Sequence, residues 1–280
     1  MYIIKNTLKK AIYLIPGTKI LWKTLNAIFI EKPDFIGWGM VTHTFTPWFE
    51  GGGDEISKKF IQANSNITKD VLNGKFNLFQ FKEENNQKDI LDSLMWRHYF
   101  VYWSAWYASK ATECKIKNLV ECGVCDGLTS YFAMHAIKDN CKFKAYLYDS
   151  WDAMKPEYLL ASEKSSTGNY SYLSVENTQK NLIEFKESTV FNKGYIPDSF
   201  EISINPSEVV WLHIDLNSAL PTLHSLEYFF EKLCVGGVIL FDDYAWHDQL
   251  ETKKVVDKFF FEKSGVLLPL PTGQAIYFKI

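Results

Sequence analysis

The run NLVECGVCDGLTSYFAMHAI (residues 118–137) changes rhythm halfway along. Its first five residues read as a short buried strand. Gly123 and Gly127 then bracket a turn, and LTSYFAMHAI (128–137) has the length of a helix. The same alternation recurs downstream. KAYLYD (144–149), STVFNKGYI (188–196), VVWLHID (209–215) and VILFDD (238–243) read as strands. Helices are expected near 174–187, over 220–233 and near 251–262. Two closing runs, VLLPL (266–270) and QAIYFKI (274–280), flank Pro271-Thr272-Gly273 as a hairpin. Five strand–helix alternations and a hairpin predict an α/β fold: a parallel seven-stranded sheet with a terminal antiparallel hairpin and helices on both faces. Ligands of such sheets bind at the carboxyl ends of the strands.

Upstream the pattern is less regular. Aromatic clusters (Gly37-Trp38-Gly39, Pro47-Trp48-Phe49), a Gly51-Gly52-Gly53 turn and an Asn-rich segment near 64–66 precede an expected helix over 88–110. This suggests two parts: a mostly helical N-terminal extension (1–87) that shapes an acceptor site or an interface, and the α/β domain (88–280).

The chain has 280 residues, 47% apolar and 22% charged, which excludes wholesale disorder. Thirty basic and 33 acidic residues leave a net charge of −3, no footprint for a nucleic-acid binder. All the basic residues but Arg97 are Lys, so bidentate guanidinium recognition has one place to occur. Five cysteines without framework spacing point to free thiols in a reducing, cytoplasmic setting. No stretch reaches the roughly 20 apolar residues of a membrane span, and no signal peptide is expected. Lys5, Lys9, Lys10, Lys19 and Lys23 nevertheless make the opening basic and amphipathic. Two readings stand for it: a helical pair packing on the body or on a second copy in a homo-oligomer, or peripheral contact with the inner membrane face.

Three features carry chemistry. The Gly123–Gly127 turn lets the backbone approach a ligand closely, with a helix N-terminus facing negative charge. Its G-x-x-x-G spacing departs from the G-x-G-x-x-G of dinucleotide folds, which disfavours an NAD-dependent reductase. A carboxylate and an amino-acid amine suit the space, the amine near Glu121. Cys122 and Cys125 have C-x-x-C spacing but no partner pair, so a buried thiol is the plainer reading. Asp149 ends the second strand, where an acid can accept from both hydroxyls of a ribose. Asp215 ends the fourth strand and Asp242-Asp243 the fifth, gathering three carboxylates on one rim. Left alone they repel, and a hard divalent cation such as Mg²⁺ resolves the conflict.

These residues, with VECGVCDGLTS, FNKGYIPDSF, HIDLNSALPTLHSLEYFFEKLCVGGVILFDDYA and LPTGQ, resemble class I S-adenosylmethionine-dependent methyltransferases with a Rossmann-like fold, and within them the macrocin O-methyltransferase family. The similarity covers about residues 90–280. It implies S-adenosylmethionine held by Glu121, Gly123, Gly127 and Ser130 at its methionine end, and by Asp149, Ser150, Trp151 and Tyr195 around the ribose. It also implies Mg²⁺ on Asp215, Asp242 and Asp243. One departure is Ser218, which stands where catechol-type enzymes carry a Lys base.

The resemblance implies transfer of a methyl group to an oxygen nucleophile aligned opposite the sulfonium. His247 is the first candidate for the base and Asp215 the second. Arg97 reads as a structural ion pair of its helix, or as an anchor for an acidic acceptor, and His213 as a core or supporting histidine. The expected acceptor is a small molecule or glycan, first of all a sugar hydroxyl in glycan or glycosylated natural-product biosynthesis. A catechol-type small molecule and a non-catalytic scaffold subunit of a glycan-assembly complex are the alternatives.

Overall fold

A computed structural model describes residues 55–81, 87–245 and 249–280. His247 and the basic N-terminal segment therefore lie outside the described residues.

Seven strands form one sheet: β1 (Lys117–Cys122), β2 (Phe143–Asp149), β3 (Thr189–Lys193), β4 (Val209–Ile214), β5 (Leu233–Phe241), β6 (Leu268–Pro269) and β7 (Ala275–Phe278). Their order is β3-β2-β1-β4-β5-β7-β6. The first five run parallel, and β7 pairs antiparallel with β5 on one side and with β6 on the other. This is an α/β Rossmann-like sheet with an antiparallel pair at one edge. The expected hairpin is present, but its second strand inserts next to β5 and leaves the short β6 at the edge.

The helices are α1 (Glu55–Leu72), α2 (Gln87–Ser93), α3 (Met95–Ala111), α4 (Leu128–Ile137), α5 (Val175–Asn181), α6 (Ser199–Ile202), α7 (Ala219–Phe229) and α8 (Leu250–Glu262). Strand side chains alternate between two cores, as period-2 geometry requires. Leu119, Trp211, Val238 and Leu240 join one core with Phe60, Ile67, Val101, Ala105, Phe132 and Met134 from α1, α3 and α4. Val120, Leu212 and Ile239 join the other with Leu226, Phe229, Val256 and Phe260 from α7 and α8. Among the described residues no helix is long and apolar enough to cross a membrane.

Several boundaries differ from expectation. The helix expected over 88–110 breaks at Leu94 (φ −91°, ψ 0°), which separates α2 from α3. The strand expected over 188–196 stops at Lys193, leaving Gly194 and Tyr195 free to face the sheet's carboxyl edge. The expected mostly helical N-terminal part holds α1, whose buried Ile56, Phe60, Ala63, Ile67 and Val71 follow helical spacing. In doing so, this helix from the N-terminal part joins the core of the α/β domain.

Candidate active site

The first half of the site is local. Beyond β1, Gly123 takes φ +89°, and a Cβ there would lie 1.7 Å from the Asp215 carbonyl oxygen. Only glycine lets the tips of β1 and β4 meet this closely. Gly127 (φ +86°) is the N-cap of α4 and packs against Thr178 and Leu182. At the end of β2, the Asp149 carboxylate accepts from the amides of Val124 (2.7 Å), Cys125 (2.9 Å) and Trp151 (2.7 Å). Burial pushes its pKa up, and those same amide bonds oppose the shift. Trp151, at φ +44°, is buried and donates its indole N–H to the Cys125 carbonyl and the Thr178 hydroxyl.

The second half is assembled from distant parts of the chain. Asp215 follows β4 and Asp242-Asp243 follow β5, which pair side by side. Into this rim reaches Arg97, from the first turn of α3. Its Nε donates to Asp242 Oδ1 and Oδ2 (2.7 and 2.9 Å), and its Nη2 to Asp242 Oδ2 (2.6 Å) and Asp215 Oδ2 (2.8 Å). Gln274 donates to Asp242 Oδ1 (3.1 Å), and Asn217 to Asp215 Oδ1 (3.2 Å). Behind them, fully buried His213 meets Glu121 Oε1 through Nδ1 at 2.9 Å and faces Asp242 Oδ1 at 3.8 Å through Nε2. Ser130 donates to the other oxygen of Glu121.

The charges settle accordingly. Burial alone would discharge His213, but Asp242 and Glu121 hold its pKa up at about 10, so it stays an imidazolium. Burial would raise Asp242 as well, yet Arg97 and then His213 keep it below the ordinary carboxylate range. Asp215 is pushed up to about 6 by burial and then by Asp242. Burial, with Asp215 and Asp242 beside it, drives Asp243 well above the usual range, and among the described residues its Oδ2 has no partner.

Both halves open on one cavity of about 340 Å³, within the range of small-molecule sites. Gly123, Asp149, Ser150, Tyr195, Asp215, Asp242, Asp243 and Arg97 all line it. The segment between β2 and α5 covers it with Met154, Tyr158 and Tyr170. Tyr158 stacks on Tyr195 with ring centroids 4.8 Å apart, and Glu163 reaches the Ser218 hydroxyl (3.0 Å) and the Ala219 amide (2.9 Å). Ser218 thus ties this cover to the start of α7.

The structure divides the expected cofactor residues. Gly123, Asp149, Ser150 and Tyr195 line the cavity, whereas Glu121, Gly127, Ser130 and Trp151 stand behind it. Glu121 is turned to His213 and accepts from Ser130. Gly127 and Trp151 shape the loop. The cavity side fits S-adenosylmethionine: three of the roughly four acceptor positions of Asp149 are filled by backbone, which leaves room for a hydroxyl donor.

A divalent ion fits less well. One atom each of His213, Asp215 and Asp242 lies within 4.8 Å of the others, the spacing a metal could use. The guanidinium of Arg97 already takes the facing oxygens of Asp215 and Asp242. Arg97 bridges Asp215 and Asp242 at this rim. Arg97 is the residue sequence reasoning placed too far from the chemistry; its signal was that it is the chain's sole arginine.

Comparison with known proteins agrees with the fold. Residues 120–244 match the family model described as a methyltransferase domain. The structure of the O-methyltransferase NovP superposes with a TM-score of 0.55 at 18% identity, covering 66% of this chain and 80% of that one. CalS11, a calicheamicin methyltransferase, superposes with a TM-score of 0.53 at 13% identity, covering 78% and 91%. No curated protein matches the chain. The narrower macrocin-type kinship stays with the sequence resemblance.

Proposed function

We propose that this chain is an S-adenosylmethionine-dependent O-methyltransferase acting on a sugar hydroxyl in glycan or glycosylated natural-product biosynthesis. The observation that carries the reading is one cavity lined both by the Gly123–Asp149 side and by the Asp215–Asp242–Asp243 rim. The names of the two structural neighbours support the O-methyl and natural-product parts of the proposal.

Gly123, Asp149, Ser150 and Tyr195 would hold the cofactor. Bound there, S-adenosylmethionine supplies a methyl group whose bond to sulfur breaks as the bond to the acceptor oxygen forms, the electron pair staying on sulfur. The acceptor hydroxyl would sit against Asp215 at the rim, in the cavity that Tyr158 and Tyr170 also line. Asp215 takes the hydroxyl proton: with a pKa held near 6 it is ionised at neutral pH and more basic than an ordinary carboxylate. Asp243 lines the same cavity, its pKa raised by burial and by Asp215 and Asp242 beside it. The cover tied down through Glu163 and Ser218 keeps water from the methyl group.

The test is transfer of an isotope-labelled methyl group from S-adenosylmethionine to fractionated glycans and small metabolites. Label on a base-stable ether of a sugar supports the proposal. Label on a catechol moves the acceptor to the phenolic class, and no label with no cofactor binding removes the enzymatic reading in favour of a scaffold.

A further inference from the structure

Building on the methyl-transfer reading of this cavity, we propose that Arg97 takes the place of a divalent ion at the aspartate rim, so that this site works without a metal. Four hydrogen bonds of 2.6–2.9 Å join one guanidinium to Asp215 and Asp242. A hard ion needs contacts of about 2.1 Å to those same oxygens, and Nη2 already stands between Asp215 Oδ2 and Asp242 Oδ2. Asp242 Oδ1 accepts from both Arg97 and Gln274, while Asp215 Oδ1 accepts from Asn217 alone and keeps one position for a proton.

Arg97 is not placed for the benefit of its own helix. It stands in the first turn of α3, where the helix dipole favours an acid, and that turn holds none. Its backbone position is set by deep packing instead. Next to it, buried His98 stacks on Phe132 with centroids 4.6 Å apart, and Ser104 accepts from the indole of Trp211 on β4 at 2.9 Å. A planar fork spanning two carboxylates is a task that lysine, the chain's otherwise universal cation, performs poorly. Among the described residues the remaining nitrogen, Nη1, has no partner, and Arg97 lines the cavity. A donor is therefore left for the acceptor oxygen, the service an ion would otherwise give.

The experiment uses the full chain stripped with chelator. MnCl₂ is titrated by electron paramagnetic resonance, and S-adenosylmethionine by calorimetry with and without EDTA. We expect no stoichiometric Mn²⁺ site in the wild type and unchanged cofactor affinity in EDTA. Arg97→Ala frees the two carboxylates and tightens Mn²⁺ binding at least about tenfold, a gain that Arg97→Ala with Asp242→Asn abolishes. One Mn²⁺ per wild-type chain, removed by Asp242→Asn, overturns the proposal, as does a folded Arg97→Ala that gains no ion. Should Arg97→Ala not fold, the wild-type and Asp242→Asn titrations decide alone. Failure of S-adenosylmethionine to bind defeats the methyl-transfer reading instead, while the Mn²⁺ result still reports separately on Arg97.

Discussion

On the β1–β2 side of the cavity a single carboxylate, Asp149, is held by three backbone amides from its own strand end and the neighbouring loop. On the β4–β5 side three carboxylates meet, and side chains from other elements hold them: Arg97 from α3, Gln274 from before β7, and His213 from within β4. Backbone donors need only a turn of the right shape, so the first side is robust and cheap to specify. Side-chain cations have to be delivered from afar, and each one lost leaves a buried charge uncompensated. The first arrangement suits recognition of a constant cofactor, the second a reacting hydroxyl whose proton must be moved.

The largest effect is expected at the rim. Asp215→Asn removes the base and lowers the methyl-transfer rate by about 10³-fold or more while S-adenosylmethionine still binds, as single-turnover kinetics and calorimetry will show. An unaltered rate would place the base elsewhere. Asp242→Ala leaves Arg97 and His213 facing one another without their shared acceptor. It costs about 3–5 kcal/mol of stability in urea denaturation. On the opposite side, Asp149→Asn keeps the shape but weakens acceptance from the ribose and the loop amides. Cofactor affinity falls about tenfold by calorimetry with the acceptor's KM little changed. The two sides exchange roles in this comparison only if Asp149→Asn alters the rate and Asp215→Asn the affinity.

The pH profile sharpens the contrast further. A carboxylate base works only when ionised, so kcat/KM falls as pH drops through about 6, the value to which burial and Asp242 push Asp215. Cofactor affinity stays flat across that range. The smallest effect is Trp151→Phe, which deletes the indole donor to Cys125 and Thr178 and costs about 1 kcal/mol, seen in thermal unfolding.

The same contrast explains what could be read in advance. The strand–turn–helix of 118–137 and Asp149 are close in sequence, and their relation follows from one β–α–β unit. The pairing of Asp215 with Asp242 and Asp243 follows from neighbouring parallel strands. Arg97 lies 118 and 145 positions from its two partners, a distance no local pattern spans. Glu121 stands beside the glycine loop, and its partner His213 lies 92 positions away on the neighbouring strand, which no local pattern reveals. The bounds of helix α1 were blurred by its Asn-rich stretch, in which Asn64 is buried beside Phe60, Ile67 and Val71 while Asn66 is exposed. Ser218 reads in sequence only as a departure from the catechol-type pattern; the structure shows it hydrogen-bonded to Glu163.

The most direct test is a crystal structure of the full chain grown with S-adenosylhomocysteine and MnCl₂, with anomalous data collected at the manganese edge. The account predicts nucleoside density beside Gly123 and Asp149, Arg97 still bridging Asp215 and Asp242, and no anomalous peak between them. A manganese peak on those aspartates with Arg97 swung aside, or nucleoside density elsewhere, would contradict it.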